Sequence, residues 1–232
     1  QHAMLRRLLG HRELRRERAD RQTVLALQPV AGVEGLLEHD PGVDEHDRDP
    51  GKEAPPLRED EPLRPINPYG ATKLAFESAM RWYAVHVLRS GAVRYFNVAG
   101  ASERFGEDHD PETHLIPNLL RAAESGEPVT LFGDDYPTPD GTCVRDFIHI
   151  DDVIAAHIAA LDHLVAVAPG NLVLNVGTGL GASVAEVVRA VCAASGVANE
   201  PELLPRRIGD SATVVADVQR IRAELGWSAE RS

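Results

Sequence analysis

A chain of 232 residues, 43% hydrophobic and 26% charged, can bury one core or two small ones and has the make-up of a soluble globular protein. Its net charge of −12 argues against nucleic acid as the main partner, while leaving room for a local cationic pocket around a phosphate ligand. No apolar run reaches the ~18 residues of a membrane span, and no apolar segment follows the N-terminal arginines as in a signal peptide.

Residues 1–60 differ from the rest. They hold no Phe, Trp, Tyr or Ser, and Thr23 is their only hydroxyl side chain. The stretch is Arg-rich from Arg6 to Arg21, then acidic from Glu34 to Glu61 with Pro41, Pro50, Pro55 and Pro56 interspersed. Leu5, Leu8, Leu9 and Leu14 form a weak apolar stripe compatible with a charged helix over 4–19. Beyond Leu37 no strand pattern is visible, and 38–60 reads as loop or disorder. The bias toward Arg, Asp, Glu, His, Gln and Pro resembles translation of a GC-rich gene in a shifted frame.

From Pro62 onward the pattern is that of ordered structure. A helix is expected from Pro68 to about Leu88, with Asn67 as its cap and Pro68 at the first helical position. Gly91–Phe96 reads as a strand opening into Asn97, His114–Ser125 as a helix, and Val129–Phe132 as a strand. Phe147–His149 reads as a brief strand. Asp151–His163 reads as a helix whose acidic start suits its dipole. Leu172–Val176 is a buried-type strand ended by the turn Gly177-Thr178-Gly179. Ser183 and Glu186 form a capping-box signature before an apolar helix through Val191. Val214–Ala216 reads as a strand, and a helix follows through Leu225. Strands alternating with helices point to α/β architecture.

Tyr69 and Lys73 stand four residues apart near the start of the first of these helices, so both heads share one face. An ammonium beside a phenol favours the phenolate, which makes the pair a candidate acid/base couple. On its own a Tyr-x-x-x-Lys spacing is equally a surface tyrosine beside a surface lysine. The ten histidines are scattered. His149, His157 and His163 lack metal-ligand spacing, and no metal site is expected. Cys143 and Cys192, outside any CxxC, suit a reducing cytoplasm. Gly177-Thr178-Gly179-Leu180-Gly181 lacks the spacing of a dinucleotide loop and reads as a structural turn.

The helix motif stands in a wider context. Val93-Arg94-Tyr95-Phe96-Asn97 ends a strand with a phenol and an amide. A long turn-rich segment, Gly133–His149, contains Pro137-Thr138-Pro139-Asp140-Gly141-Thr142. Pro205-Arg206-Arg207-Ile208-Gly209-Asp210 brings two guanidinium groups near the C-terminus. Together these stretches resemble the UDP-glucose 4-epimerase family of extended short-chain dehydrogenases/reductases, over about residues 56–227.

The resemblance implies an NAD-dependent 4-epimerase acting on UDP-glucose and UDP-galactose. It implies a partial Rossmann-like α/β fold with a smaller mixed α/β substrate-binding domain and without the family's N-terminal βαβ units. The remnant of the NAD-binding domain would comprise 61–100 and about 147–180. The UDP-sugar domain would comprise 101–146 and about 181–232, leaving 1–60 irregular. Tyr69 and Lys73 would be catalytic, and with Tyr95 would line the cofactor. Asn97, His114, Leu115, Phe132, Arg145, Arg207 and Asp210 would contact the UDP-sugar. The guanidinium groups of Arg145 and Arg207 offer the forked donors a diphosphate needs. Arg145 paired with Asp146 or Asp151, and Arg206–Arg207 as a solvated basic turn, are the plainer alternatives. The family also implies a homodimer, with neither nucleic acid nor membrane as partner. The family's GxxGxxG has only Gly32 and Gly35 as counterparts here, and its Ser or Thr upstream of the tyrosine has none between His39 and Lys52. Another nucleotide-sugar epimerase and a non-catalytic remnant that binds UDP-sugar weakly are the alternatives, with an impaired enzyme between them.

Overall fold

A computed structural model describes residues 56–65, 68–86, 89–167, 170–197, 201–207 and 210–231. The expected helix over 4–19, the Gly32–Gly35 pair and the Asn67 cap lie outside them. Pro68 opens helix α1 (Pro68–His86), as its fixed φ favours. Strand β1 (Arg89–Tyr95) pairs in parallel with β6 (Gly170–Val176), Gly91 standing opposite Leu172 and Tyr95 opposite Val176. Both strands are buried nearly throughout, as in a parallel sheet covered on two faces.

Those faces are covered by α1 and by α3 (Ile150–Ala166). Arg94 of β1 points to α1, where its guanidinium grips Glu77 through Nε–Oε2 (3.0 Å) and Nη2–Oε1 (2.7 Å). The neighbouring Gly91 presents its bare Cα to α3, where a Cβ would lie 2.9 Å from Leu164. His149 caps α3 by accepting from the Asp151 N–H, and Asp151 and Asp152 occupy the first turn, where carboxylates suit the dipole.

Strand β2 (Asn97–Ala99) continues beyond β1 and pairs in parallel with β5 (Phe147–His149). Strand β3 (Thr130–Phe132) pairs with β8 (Glu202–Leu204). Strand β4 (Val144–Arg145) lies between β7 (Ala182–Ser183) and β9 (Thr213–Val214). Helix α2 (Leu115–Ser125) packs against α4 (Val184–Ser195). Helix α5 (Gln219–Leu225) packs against β6 and α3.

Two apolar clusters result. The larger gathers Val93, Phe96, Ile148, Leu164, Leu174 and Val176 with Val214, Ala216, Val218 and Ile221. The smaller gathers Leu119, Ala122, Val129, Leu131 and Val188 between α2, α4 and β3. Residues 213–225 therefore join the sheet-centred core, although they follow position 181, where the sequence reading begins its second stretch of substrate domain.

One expectation is refined at a single residue. The stretch 38–60 reads as loop or disorder; of it the structure describes 56–60, which are irregular except where Leu57 joins the sheet. Leu57 is buried, bridges in parallel to Ala216, donates its N–H to Val215 O (2.8 Å) and accepts from Asp217 N (2.9 Å). Asn175 Nδ2 donates to Leu57 O (2.8 Å), Asn175 N donates to Glu59 Oε1 (2.8 Å), and Arg94 Nη1 donates to Glu59 O (3.2 Å). A single bridging residue carries no period-2 pattern, so propensity cannot reveal it. Smaller differences have local causes. Ala216 belongs to that bridge rather than to β9, Val129 precedes β3, and α4 runs four residues past Val191 to Ser195 before Gly196 closes it in the left-handed region.

Candidate functional site

Tyr69 lies one residue into α1 with 44% of its surface exposed, so its phenol is open to a ligand. The Lys73 ammonium stands 4.9 Å from its ring centroid, as i, i+4 geometry provides. Thr72 Oγ1 donates to Tyr69 O (2.7 Å) within the same first turns. Tyr95 ends β1 beside this pair. Burial pushes its phenol up to about 12, and the nearby Tyr69 phenol adds to the shift. The two tyrosines are thus close enough to couple electrostatically. The His157 ring lies 6.0 Å from that of Tyr95, and its Nδ1 is 2.7 Å from Val153 O. The set thus offers an exposed phenol under an ammonium, backed by a second phenol kept neutral by burial.

A second neighbourhood forms around the turn-rich segment. Phe132 ends β3, and the Arg207 guanidinium sits 3.8 Å from its ring centroid. Arg206 stacks 4.2 Å from the Tyr136 ring and pairs with Asp135 (Nε–Oδ1 2.6 Å), its Nη2 also meeting Asp135 O. A basic turn with ordered partners on both arginines is more than a solvated one. Arg145 is buried in β4 and donates from Nη1 to Ser211 O (2.8 Å) and Val144 O (3.0 Å). Its neighbour Asp146 is occupied elsewhere, accepting from Thr178 N (2.9 Å), Thr178 Oγ1 (2.7 Å), Gly179 N (3.0 Å) and Ala216 N (3.2 Å). Asp210 acts on Tyr136, whose phenol is pushed up to about 12 by burial first and the Asp210 charge second. Phe132, Arg145, Arg207 and Asp210 thus gather around Tyr136 and the turn.

The turn is held by its own chemistry. Gly141 has φ +78°, and a Cβ there would meet Asp134 O at 2.0 Å, so only glycine fits. Asp140 accepts from Thr142 N (3.0 Å), Thr142 Oγ1 (2.8 Å) and Ser183 Oγ (2.5 Å), tying the turn to the start of α4. Burial opposes ionisation of Asp140, but the Ser183 and Thr142 hydrogen bonds outweigh it and hold the carboxyl below its usual range. Ser183 and Glu186 complete the capping box, Glu186 N donating to Ser183 Oγ (3.1 Å) and Ser183 N to Glu186 Oε2 (2.8 Å). The Gly177–Gly179 turn directs two amides onto Asp146, a structural use of the motif.

His114 caps α2 by position, Leu115 begins that helix, and Leu115 packs against the smaller core. The His114 N–H donates to Glu112 Oε1 (2.8 Å). That bond leads the contacts, including those from the His114 ring and Thr113 N–H, that hold the Glu112 carboxyl below its usual range. Asn97 opens β2 and donates its N–H to Asp146 O (3.0 Å). The described contacts therefore collect the expected residues into a Tyr69–Lys73–Tyr95 set, a Phe132–Arg145–Arg207–Asp210 set and the start of α2, with Asn97 joined through Asp146 to the second. Sequence reading missed Asp146, Tyr136 and Glu77, because each acts through a partner that no short-range spacing discloses, and Glu112, because its burial leaves no mark on periodicity.

The sequence model described as "NAD dependent epimerase/dehydratase family" matches residues 49–177. A UDP-glucose 4-epimerase of Lactobacillus helveticus is 47% identical over 176 residues, covering 74% of this chain and 53% of that protein. The crystal structure of UDP-glucose 4-epimerase from Brucella ovis in complex with NAD aligns with TM-score 0.76 at 39% identity, covering 91% of this chain and 61% of that one. The enzyme from Bifidobacterium longum in complex with NAD+ and UDP aligns with TM-score 0.69 at 40% identity, covering 76% of this chain and 54% of that one. The chain spans about half the length of the curated relatives it matches. No helix among the described residues is long and apolar enough to cross a membrane.

Proposed function

The chain belongs to the NAD-dependent epimerase/dehydratase family, and from that premise we propose that it carries the catalytic and substrate-binding portion of a UDP-glucose 4-epimerase. The observation that carries the proposal is the open Tyr69 phenol, with the Lys73 ammonium 4.9 Å from its ring centroid and Tyr95 electrostatically coupled to it. Tyr69 Oη takes the proton of the sugar 4-hydroxyl and later returns it. The Lys73 ammonium stabilises the phenolate form of Tyr69 that accepts the proton and that re-forms when the proton is returned. NAD, when bound, supplies the acceptor and donor of the C4 hydride, so the net redox change is zero. Tyr95, held neutral by burial, lies near Tyr69 without competing for the proton.

Arg145 and Arg207 bind the diphosphate, Phe132 lies at the uracil, and Asp210 and Asn97 complete the nucleotide contacts. The backbone at His114 and Leu115 runs past the substrate. Residues 61–100 and 147–180 serve the cofactor side, and 101–146 with the part of 181–232 before β9 serves the UDP-sugar side. The whole protein is read as a cytoplasmic homodimer. Supplying the chain with NAD and UDP-galactose and following UDP-glucose tests the proposal. Formation of product that Tyr69→Phe abolishes supports it. UDP binding without turnover in either protein would leave the non-catalytic reading in its place.

A further inference from the structure

We propose that Glu107, His109, Glu112 and His114 form a binding site for one divalent transition-metal ion of the zinc class, in the loop that leads into α2. One ligand atom from each of the four lies within 4.8 Å of all the others. Zinc bonds of about 2.0–2.2 Å in a tetrahedron place ligand atoms about 3.3–3.5 Å apart. Glu107, His109 and His114 are exposed, so their side chains are free to close that difference by small rotations. The rings of His109 and His114 already face each other at 5.4 Å between centroids. Two neutral imidazoles with two carboxylates carry a charge of −2, which a divalent cation neutralises. The imidazoles favour zinc-like ions over magnesium or calcium, which prefer all-oxygen sets.

Glu112 is what separates this cluster from an ordinary group of surface charges. Its side chain is only 1% exposed while its partner His114 is 58% exposed. One oxygen, Oε1, is accounted for, since it accepts from Thr113 N (2.8 Å) and His114 N (2.8 Å) and lies 2.7 Å from His114 Nδ1. The other oxygen, Oε2, is buried and has no hydrogen-bond partner among the described residues. A buried carboxylate oxygen left without a donor is costly, and native structures almost always satisfy it. Ion pairing of His114 with Glu112 and, at 4.0 Å, with Glu107 accounts for Oε1 and for the approach of Glu107, but for neither the buried Oε2 nor the approach of the His109 ring. A bound cation accounts for both. The ion would also brace the entry to α2, and the inference stands independently of Tyr69 and its chemistry.

The test is a titration of chelator-stripped protein with Zn²⁺ against a chromophoric competitor near neutral pH, with Mg²⁺ as the comparison. The chain holds other histidines, so the site is assigned by variants. One Zn²⁺ per chain is expected, with a Kd of about 10 µM or tighter, and the double variant Glu107→Gln, His109→Ala should weaken it at least about tenfold. Both positions are exposed, and unchanged circular dichroism confirms that the variant folds. Co²⁺ should give the visible absorption of a tetrahedral N/O site in the parent and lose it in the variant. Absence of Zn²⁺ binding would overturn the proposal. So would affinity unchanged in the double variant, which would place the ion elsewhere, or Mg²⁺ binding as well as Zn²⁺, which would mark a plain acidic cluster.

Discussion

A phenol can exchange a proton with a substrate hydroxyl only if the two can meet, and Tyr69 satisfies this through its exposure. Replacing it with Phe keeps the ring under the Lys73 ammonium and removes only the oxygen. Turnover of UDP-galactose should fall by roughly 10²–10⁴-fold, the usual worth of a positioned acid/base, with UDP affinity unchanged. Arg207 is the contrasting case. Its guanidinium rests on Phe132 rather than in an ion pair with a described carboxylate partner. Arg207→Ala should weaken UDP binding at least about tenfold by calorimetry, the scale of one charged hydrogen bond. Unchanged affinity would remove Arg207 from the nucleotide site. The Glu77–Arg94 pair answers to stability instead. Both side chains are almost wholly buried, so Glu77→Ala leaves a buried guanidinium with too little compensation. A loss of about 3–5 kcal/mol in urea unfolding is expected.

At the scale of elements, the turn between β3 and β4 converts local chemistry into placement of the site. Asp140 anchors it to Ser183 and thereby to α4. The hydrogen bonds that hold the Asp140 carboxyl below its usual range favour its ionised form in the folded chain. The unfolded chain therefore binds more protons as pH falls past the ordinary carboxylate value of ~3.9, and this contribution is lost as pH drops through the folded-state value. Asp140→Asn should lower the urea midpoint near neutral pH and flatten its decline below about pH 4.5. An unaltered acid limb would count against the assignment.

Elements of this kind were legible where their signals are local. Pro68 at the head of α1, the Ser183–Glu186 box and the glycine turn after β6 each act within four residues. The Tyr69–Lys73 couple is legible for the same reason, being one helical turn. Strands β4 and β7, two residues each, are too short to show alternation. Asp146 escaped because its partners lie 32 and 70 residues away. Glu112 escaped because burial of a single carboxylate in an exposed loop leaves no mark on periodicity.

For the whole molecule the open question is whether its two apolar clusters unfold as one unit, and Leu57 offers the means to ask. It sits at the meeting of Ala216, Asn175 and the sheet-centred core, so its loss weakens three elements together. Leu57→Ala should cost about 2–5 kcal/mol, the range for a buried leucine truncated to a methyl. Trp227 packs on that same core and, in a Trp82→Phe background, reports its unfolding by fluorescence. Cys192 packs on the smaller core between α2 and α4, so its thiol reactivity, in a Cys143→Ser background, reports the other. Helix α5 and β9 return from the end of the chain to the larger core, while β4 lies directly between β7 and β9. That shared three-stranded sheet crosses the boundary between the clusters, and a strand cannot leave one side without unpairing the other. Leu57→Ala should therefore lower the midpoints of Trp227 fluorescence and Cys192 reactivity by the same amount. A shift at Trp227 with Cys192 unmoved would show two separately folding units and a sheet too short to couple them.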